Sequence, residues 1–136
     1  MPLVVIYVSI FIVALGTVLF IWANHTHKVR GGLKRPGVTI TFHREGLYKF
    51  IRHPQTLGGG TWFIFFPVIL NQYLHFTILT VFAIALIIVY IYVASYLEEK
   101  NNIEKWRDEY RQYLREVPRF NILLGIWRYV RRKKSK

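Results

Sequence analysis

The residues best suited to chemistry lie where a basic segment meets a long apolar one. Arg52 and His53 are the last ionisable side chains before more than twenty residues without a formal charge. Pro54 follows, and proline is favoured at the first position of a helix, where its missing N–H would have had no partner. Glycines 58–60 lie in the first turns of this helix and allow another backbone or a ligand to approach closely. Because a helix start also offers free N–H groups to an anion, we expect any site to lie here.

A second group of reactive side chains follows the apolar part of the chain. Glu98 and Glu99 are adjacent, so a helix places them about 100° apart and they cannot both face one partner. We expect one in a pocket and the other paired with a cation such as Arg52. An apolar stripe follows at spacings of three and four, formed by Ile103, Trp106, Tyr110 and Tyr113. This spacing predicts an amphipathic helix.

Long uncharged runs indicate the elements that carry these residues. The chain has 136 residues, of which 53% are hydrophobic, and residues 3–23 carry no charge. A run of that length crosses ~30 Å of hydrocarbon. Further spans are predicted at about 54–71 and 74–97. The prediction is an all-α, small polytopic membrane protein, a single membrane domain over 1–136, with about three transmembrane helices and a C-terminal amphipathic cytoplasmic helix.

The distribution of basic residues predicts the orientation. Seven of the 19 Lys and Arg lie in 28–52 and the other twelve in 100–136, whereas the link 71–75 has none. Basic segments favour the cytoplasmic side of a membrane. The N-terminus is therefore expected outside, and the loop 24–53 and the C-terminal segment 98–136 are expected in the cytoplasm.

The net charge of +12 predicts a lipid partner. The basic residues flank predicted membrane ends, where they meet anionic head groups. No nucleic-acid-binding motif accompanies them, so nucleic acid is not an expected partner. The segment 122–134 is amphipathic and then polybasic, which is typical of an interfacial anchor on an anionic leaflet.

No metal site is expected. The chain has no cysteine, which rules out disulfides and thiolate ligands. His25 and His27 are spaced like a pair of ligands, but no third ligand lies near them in the sequence.

The loop before the second span is predicted to contain two short elements. Residues 38–42 alternate polar and apolar side chains like a strand, and because a lone strand is marginal we expect an extended segment at the membrane interface. Residues 46–52 are expected to form a short surface helix with Tyr48 and Ile51 facing inward.

Two motifs give the chain a resemblance to a known family. The first is Gly46-x-Tyr48-x-x-x-Arg52-His53-Pro54-x-x-x-Gly58. It resembles the Arg-His-Pro-x-Tyr-x-Gly signature of the isoprenylcysteine carboxyl methyltransferase family, which includes related phospholipid N-methyltransferases. The second consists of Glu98-Glu99, Trp106, Tyr110, Tyr113 and Val117-Pro118-Arg119-Phe120. It resembles the family's second signature, so the resemblance covers about 46–120.

The resemblance implies a membrane methyltransferase that uses S-adenosylmethionine and acts on a lipid-like or membrane-embedded acceptor. Family members bind this cofactor where the inner helix ends meet the C-terminal segment. The implied cofactor-binding residues are His53, Pro54, Thr56, Gly58, Gly59, Glu98, Glu99 and Trp106. The implied catalytic residues are Arg52, Glu99 and Arg119.

The chemistry of these side chains suits such a cofactor. Glu98 or Glu99 can meet its cationic ammonium and sulfonium groups, and Arg52 or His53 can meet its carboxylate. Methyl transfer is an in-line displacement that depends on alignment. Arg119 or Arg52 could orient a carboxylate acceptor, while His53 or a carboxylate could take the proton of an amine acceptor.

The chain departs from the family at two positions and leaves two other functions open. Thr56 stands where the family has tyrosine, and Trp106-Arg107 stands where it has Phe-Gly. We expect Trp106 to fill the space left by Thr56. The first alternative is a non-catalytic membrane scaffold of the same fold. The second is a relative of nicotinamide-dependent reductases, since the much longer sterol reductases carry similar Arg-His-Pro and Glu-Glu signatures. The methyl acceptor and the oligomeric state are left open.

Overall fold

Helices make up most of the protein. The computed structural model describes residues 2–29, 33–35, 38–39, 44–73 and 75–135. The α-helices within these ranges are α1 (Leu3–Val29), α2 (Pro54–Ile69), α3 (Ile78–Glu116) and α4 (Ile122–Lys134). Two 3₁₀ helices cover Gly46–Lys49 and Leu70–Gln72. The predicted helical fold class is confirmed.

Two of these helices are long and apolar enough to cross a membrane, namely α1 and α3. The predicted second span, α2, has 16 residues and reaches roughly 24 Å. The 3₁₀ helix Leu70–Gln72 continues it directly. The chain is a small polytopic membrane protein, as predicted.

The first helix is longer than predicted. It runs to Val29 rather than ending at residue 23, and therefore takes the first residues of the predicted loop. Residues 24–28 are polar, and the segment 24–29 contains neither glycine nor proline, so nothing in it breaks a helix. The Thr26 hydroxyl donates to the carbonyl of Trp22 at 2.9 Å. The boundary was predicted too early because a loss of apolarity was taken for the end of the helix.

A short hairpin lies in the loop. The strands β1 (Leu33–Arg35) and β2 (Val38–Thr39) pair in antiparallel orientation, with Leu33 opposite Thr39. The extended segment predicted over 38–42 is described only at its first two residues, which form β2. The remainder of that prediction lies outside the described residues.

The ends of the other helices follow the local sequence. Helix α2 begins at Pro54, as predicted. Helix α4 begins after Asn121, whose side-chain oxygen accepts the Leu124 N–H at 3.0 Å. The surface helix predicted at 46–52 is the 3₁₀ helix Gly46–Lys49, and both Tyr48 and Ile51 are buried.

Helix α3 is interrupted at Arg107. This residue has φ 47° and ψ −121°, while the flanking residues are helical. Among the described non-glycine residues it alone has a positive φ. Glycine adopts this conformation far more readily than a residue with a Cβ. It is the position where the resembled signature has glycine.

The packing divides the chain into two compact units. The first unit extends to Ile21 and resumes over Gln55–Leu97, and the second comprises Trp22–Pro54 and the residues from Glu98 onward. The single membrane domain over 1–136 stays a prediction.

The first unit is packed through small residues. A Cβ added at Gly58 would lie 2.5 Å from the Gly16 carbonyl oxygen, so α1 and α2 are in backbone contact there. The Trp62 indole N–H donates to the Thr17 hydroxyl at 2.9 Å. The glycines at the start of α2 therefore serve helix packing.

The second unit has an aromatic core. Tyr110, Tyr113 and Val117 are buried together, and Trp106 packs against them. The Tyr113 hydroxyl donates to the Tyr48 carbonyl at 2.8 Å. The apolar stripe predicted for α3 is thus its packed face.

Candidate active site

Glu99 is the centre of a buried charge cluster in the second unit. It is 4% exposed and lies just after the apolar part of α3. The Arg119 guanidinium binds both of its carboxylate oxygens, with Nε 2.9 Å from Oε1 and Nη2 on Oε2. Arg52 Nη1 lies 3.2 Å from the same Oε1. The fork of Arg119 thus fixes the orientation of this carboxylate.

His53 joins the two glutamates. Its Nε2 lies 3.0 Å from Glu99 Oε1, and its Nδ1 lies 3.4 Å from Glu98 Oε2. Burial opposes the charged form of His53, but the hydrogen bonds to Glu98 and Glu99 outweigh it and raise the pKa of His53. A carboxylate beside each ring nitrogen therefore favours the imidazolium, in which both nitrogens donate.

Glu99 remains ionised at physiological pH. Burial alone would raise its pKa, but the hydrogen bonds from His53 and Arg119, with the positive charge of Arg52, lower the pKa of Glu99 to about 2. Since its oxygens already pair with three cationic side chains, Glu99 is suited to positioning those side chains.

Glu98 has a different environment although it is adjacent in sequence. Its side chain is 46% exposed, against 6% for Glu99. Glu99 is the glutamate that pairs with Arg52, which is the pairing expected for one member of the pair. Glu98 is left with an accessible carboxylate beside a buried cationic ring, so it can accept a cationic ligand from the solvent side.

Main-chain hydrogen bonds hold the two motifs side by side. The Arg52 N–H donates to the Pro118 carbonyl at 3.1 Å, and the His53 N–H donates to the Arg119 carbonyl at 3.4 Å. Pro118 disfavours helical backbone at the residue before it, and α3 ends at Glu116. The residues after α3 can therefore lie beside the segment that leads into α2 and form these hydrogen bonds.

Arg52 retains an unused donor. Its side chain is 12% exposed, and its Nε has no hydrogen-bond partner among the described residues. An unsatisfied guanidinium N–H is costly when buried.

The other predicted cofactor residues lie in less polar surroundings. Pro54 is buried at the start of α2, and Thr56, two residues further on, is half-buried. A Cβ at Gly59 would meet the Phe20 ring at 3.5 Å, an ordinary contact, whereas Gly58 touches α1. Trp106 stacks on Tyr110 with ring centroids 6.3 Å apart.

The roles assigned to these residues stay predictions, including the expected filling of space near Thr56 by Trp106. Two contacts of the cluster were not assigned from the sequence. The Phe120 ring centroid lies 6.0 Å from that of His53, and the Pro118 carbonyl accepts from Arg52. Pro118 and Phe120 both belong to the second motif. Their position on either side of Arg119 was the sequence feature that could have indicated these contacts.

Comparison with known proteins identifies the family of this chain. Residues 5–117 match a family model described as "Protein of unknown function (DUF1295)". The matched range includes both glutamates and the Arg52-His53 pair. The chain belongs to the DUF1295 family. Its predicted resemblance to the isoprenylcysteine carboxyl methyltransferase and phospholipid methyltransferase group of membrane proteins is confirmed.

One curated relative of this DUF1295 protein has a named activity. Methanethiol S-methyltransferase 1 of Bradyrhizobium diazoefficiens is 41% identical over 71 residues. The match covers 52% of this chain and 22% of that relative, so the matched segment corresponds to about a fifth of the longer protein. No solved structure matches the chain.

Proposed function

We propose that this protein is a membrane methyltransferase that uses S-adenosylmethionine and acts on a lipid-like or membrane-embedded acceptor. The observation that carries the proposal is the half-exposed Glu98 beside the buried cluster of Arg52, His53, Glu99 and Arg119. The name of the Bradyrhizobium relative supports the reaction class.

The cofactor is bound by groups of opposite charge. It carries a cationic ammonium, a cationic sulfonium and an anionic carboxylate. Glu98 accepts from the ammonium or faces the sulfonium, because its carboxylate is accessible. The Arg52 guanidinium, whose side chain is 12% exposed, is the cation that meets the cofactor carboxylate. Glu99 keeps Arg52, His53 and Arg119 in place and is a positioning residue for them.

The chemical step depends on alignment. Bound S-adenosylmethionine would supply an electrophilic methyl group and a neutral thioether as leaving group, and the residues of the cluster would hold that methyl group in line with the acceptor. Arg52 is better placed than Arg119 to orient an anionic acceptor, since Arg119 is engaged by both Glu99 oxygens. The neighbouring carboxylates raise the pKa of His53 and favour its charged form, so a carboxylate is better suited than His53 to take the proton of an amine acceptor.

The same proposal includes an orientation and a membrane partner. The N-terminus lies outside, and the second unit lies on the cytoplasmic side among the basic segments. Helix α4 exposes the apolar residues Leu123, Ile126, Trp127 and Val130 and carries four basic residues in its last turn. This pattern suits an anionic leaflet.

Cofactor titration tests the proposal. Labelled S-adenosylmethionine and NADPH are titrated separately into the protein in neutral detergent micelles. Saturable binding of S-adenosylmethionine alone is expected. Binding of NADPH alone would favour a reductase, and binding of neither would favour a membrane scaffold.

A further inference from the structure

A cavity lies in the second unit, apart from the Glu99 charge cluster. It has a volume of about 490 Å³ and is bounded by the segment 44–49, the end of α3 and the end of α4. None of Arg52, His53, Glu98, Glu99 and Arg119 lines it. Its size falls within the range of cavities that bind small organic molecules.

The walls of this cavity are strongly basic. The cationic side chains are Arg44, Lys49, Arg132 and Lys133, against a single acidic residue, Glu116. Glu116 is already engaged, since it accepts from Arg132 and from Gln112. The cations come from two separate stretches of chain, the segment 44–49 and the end of α4, so they approach the cavity from different directions.

Aromatic side chains complete the walls. Tyr48, Tyr113 and Tyr129 line the cavity with the cations. The Arg44 guanidinium lies 5.7 Å from the centre of the Tyr113 ring and donates to the Glu109 carbonyl at 2.6 Å. These contacts hold Arg44 in a defined orientation.

The charge of this cavity does not suit the proposed cofactor. S-adenosylmethionine has two cationic groups and one anionic group, so its net charge is positive. The four cations of the cavity repel it, and the one carboxylate there is already engaged. A phosphoryl group suits the cavity better. It presents several oxygens to donors that converge from different directions, as guanidinium and ammonium groups do when they bind phosphate.

We infer that this cavity is a binding site for a phosphoryl group, separate from the Glu98–Glu99 cluster. The group can belong to a phospholipid head group or to a small soluble phosphate, and the aromatic walls cover the part of the ligand next to it. Lys49 and Lys133 are the residues to vary, because they line the cavity and no hydrogen bond or ion pair in the described residues depends on them.

A matched pair of charge reversals tests this site. The variant Lys49→Glu/Lys133→Glu reverses two charges of the cavity, and Lys100→Glu/Lys134→Glu reverses two exposed charges that do not line it. Both variants have the same net charge. Binding is measured by calorimetry at fixed ionic strength in neutral micelles. The probes are pyrophosphate, short-chain phosphatidylglycerol and short-chain phosphatidylcholine.

The unchanged protein should bind pyrophosphate, phosphatidylglycerol or both, and bind phosphatidylcholine more weakly. The cavity variant should weaken this binding by at least about tenfold, as expected on losing a charge-assisted hydrogen bond. The control variant should change it less than about twofold, and neither should alter S-adenosylmethionine affinity. Which probe binds identifies the source of the phosphoryl group.

Equal losses in the two variants would overturn the inference, because they would show attraction to net charge alone. An absence of binding by both anionic probes would overturn it too. If Lys49→Glu/Lys133→Glu fails to fold, Lys49→Gln/Lys133→Gln replaces it, with Lys100→Gln/Lys134→Gln as its control and the same outcomes.

Discussion

Different interactions stabilise the interior of each of the two units of this protein. In the first, α1 and α2 approach through Gly16 and Gly58, and a side-chain hydrogen bond joins Trp62 on α2 to Thr17 on α1. Large apolar side chains cover much of its surface. In the second, Glu99 binds three cationic side chains. Close backbone contact thus characterises one unit, and buried charge characterises the other.

This difference separates scaffold from chemistry. In a bilayer, helices associate largely by close packing of small residues, since lipid is as apolar as their side chains. A buried charge cluster is a poor source of net stability and is kept where it serves another purpose. We therefore expect substitutions in the first unit to respond to volume and those in the second to respond to charge.

The largest effect is expected at the centre of the charge cluster. Glu99→Gln removes the charge that faces Arg52, His53 and Arg119, and should lower the free energy of unfolding by about 3–5 kcal/mol. Glu98→Gln, at a half-exposed neighbour, should lower it by less than about 1 kcal/mol. Reversible unfolding in mixed micelles measures both. Similar losses would show that burial does not distinguish the two glutamates.

In the first unit, the volume of the side chain at the contact between α1 and α2 should determine the effect of a substitution on stability. Gly58→Ala places a Cβ 2.5 Å from the Gly16 carbonyl oxygen and should destabilise the protein by about 1–3 kcal/mol. Gly59→Ala is the matched control, because its Cβ meets only ordinary contacts with Phe20. It should be neutral or slightly stabilising. If Gly58→Ala were as mild as Gly59→Ala, the close contact of α1 and α2 would be refuted.

A smaller effect of opposite sign is expected at the interruption of α3. Arg107→Gly should stabilise the protein by about 1 kcal/mol, since glycine adopts a positive φ without the strain of a Cβ. Arg107→Ala keeps the Cβ and should gain nothing. Thermal unfolding of both variants in micelles compares them. A loss of stability in Arg107→Gly would mean that Arg107 is not held at positive φ.

The smallest effect concerns pH and should be confined to the charge cluster. Because the folded pKa of His53 is raised, its contribution to stability is present below the unfolded value of about 6.5. It is lost as the pH rises through the folded pKa. His53→Gln should remove this part of the pH dependence. An NMR titration that gave His53 a pKa below 6.5 would contradict the imidazolium assignment.

Much of the fold could be predicted from the sequence because its signals are local. The uncharged runs predicted the helices, Pro54 predicted the start of α2, and the aromatic stripe predicted the packed face of α3. The end of α1 was missed because residues 24–29 lose apolarity without containing a helix breaker. The interruption of α3 at Arg107 was not predicted either, since only a glycine at that position would have indicated a positive φ.

The candidate site was harder to predict because its geometry depends on contacts between distant residues. Adjacency showed that Glu98 and Glu99 differ in direction, but not which of them is buried. That depended on Arg119, twenty residues later. The backbone pairing of Arg52 with Pro118 joins segments that no local pattern connects.

The most direct test is the affinity of Glu98→Gln for S-adenosylmethionine. The proposed function predicts a loss of about ten- to a hundredfold, because a charged partner of the cofactor is removed, while stability changes little. Glu104→Gln is the control, since it removes an exposed charge from the same helix and should leave affinity unchanged. Unchanged affinity in folded Glu98→Gln would contradict the assignment of the cofactor site to this cluster.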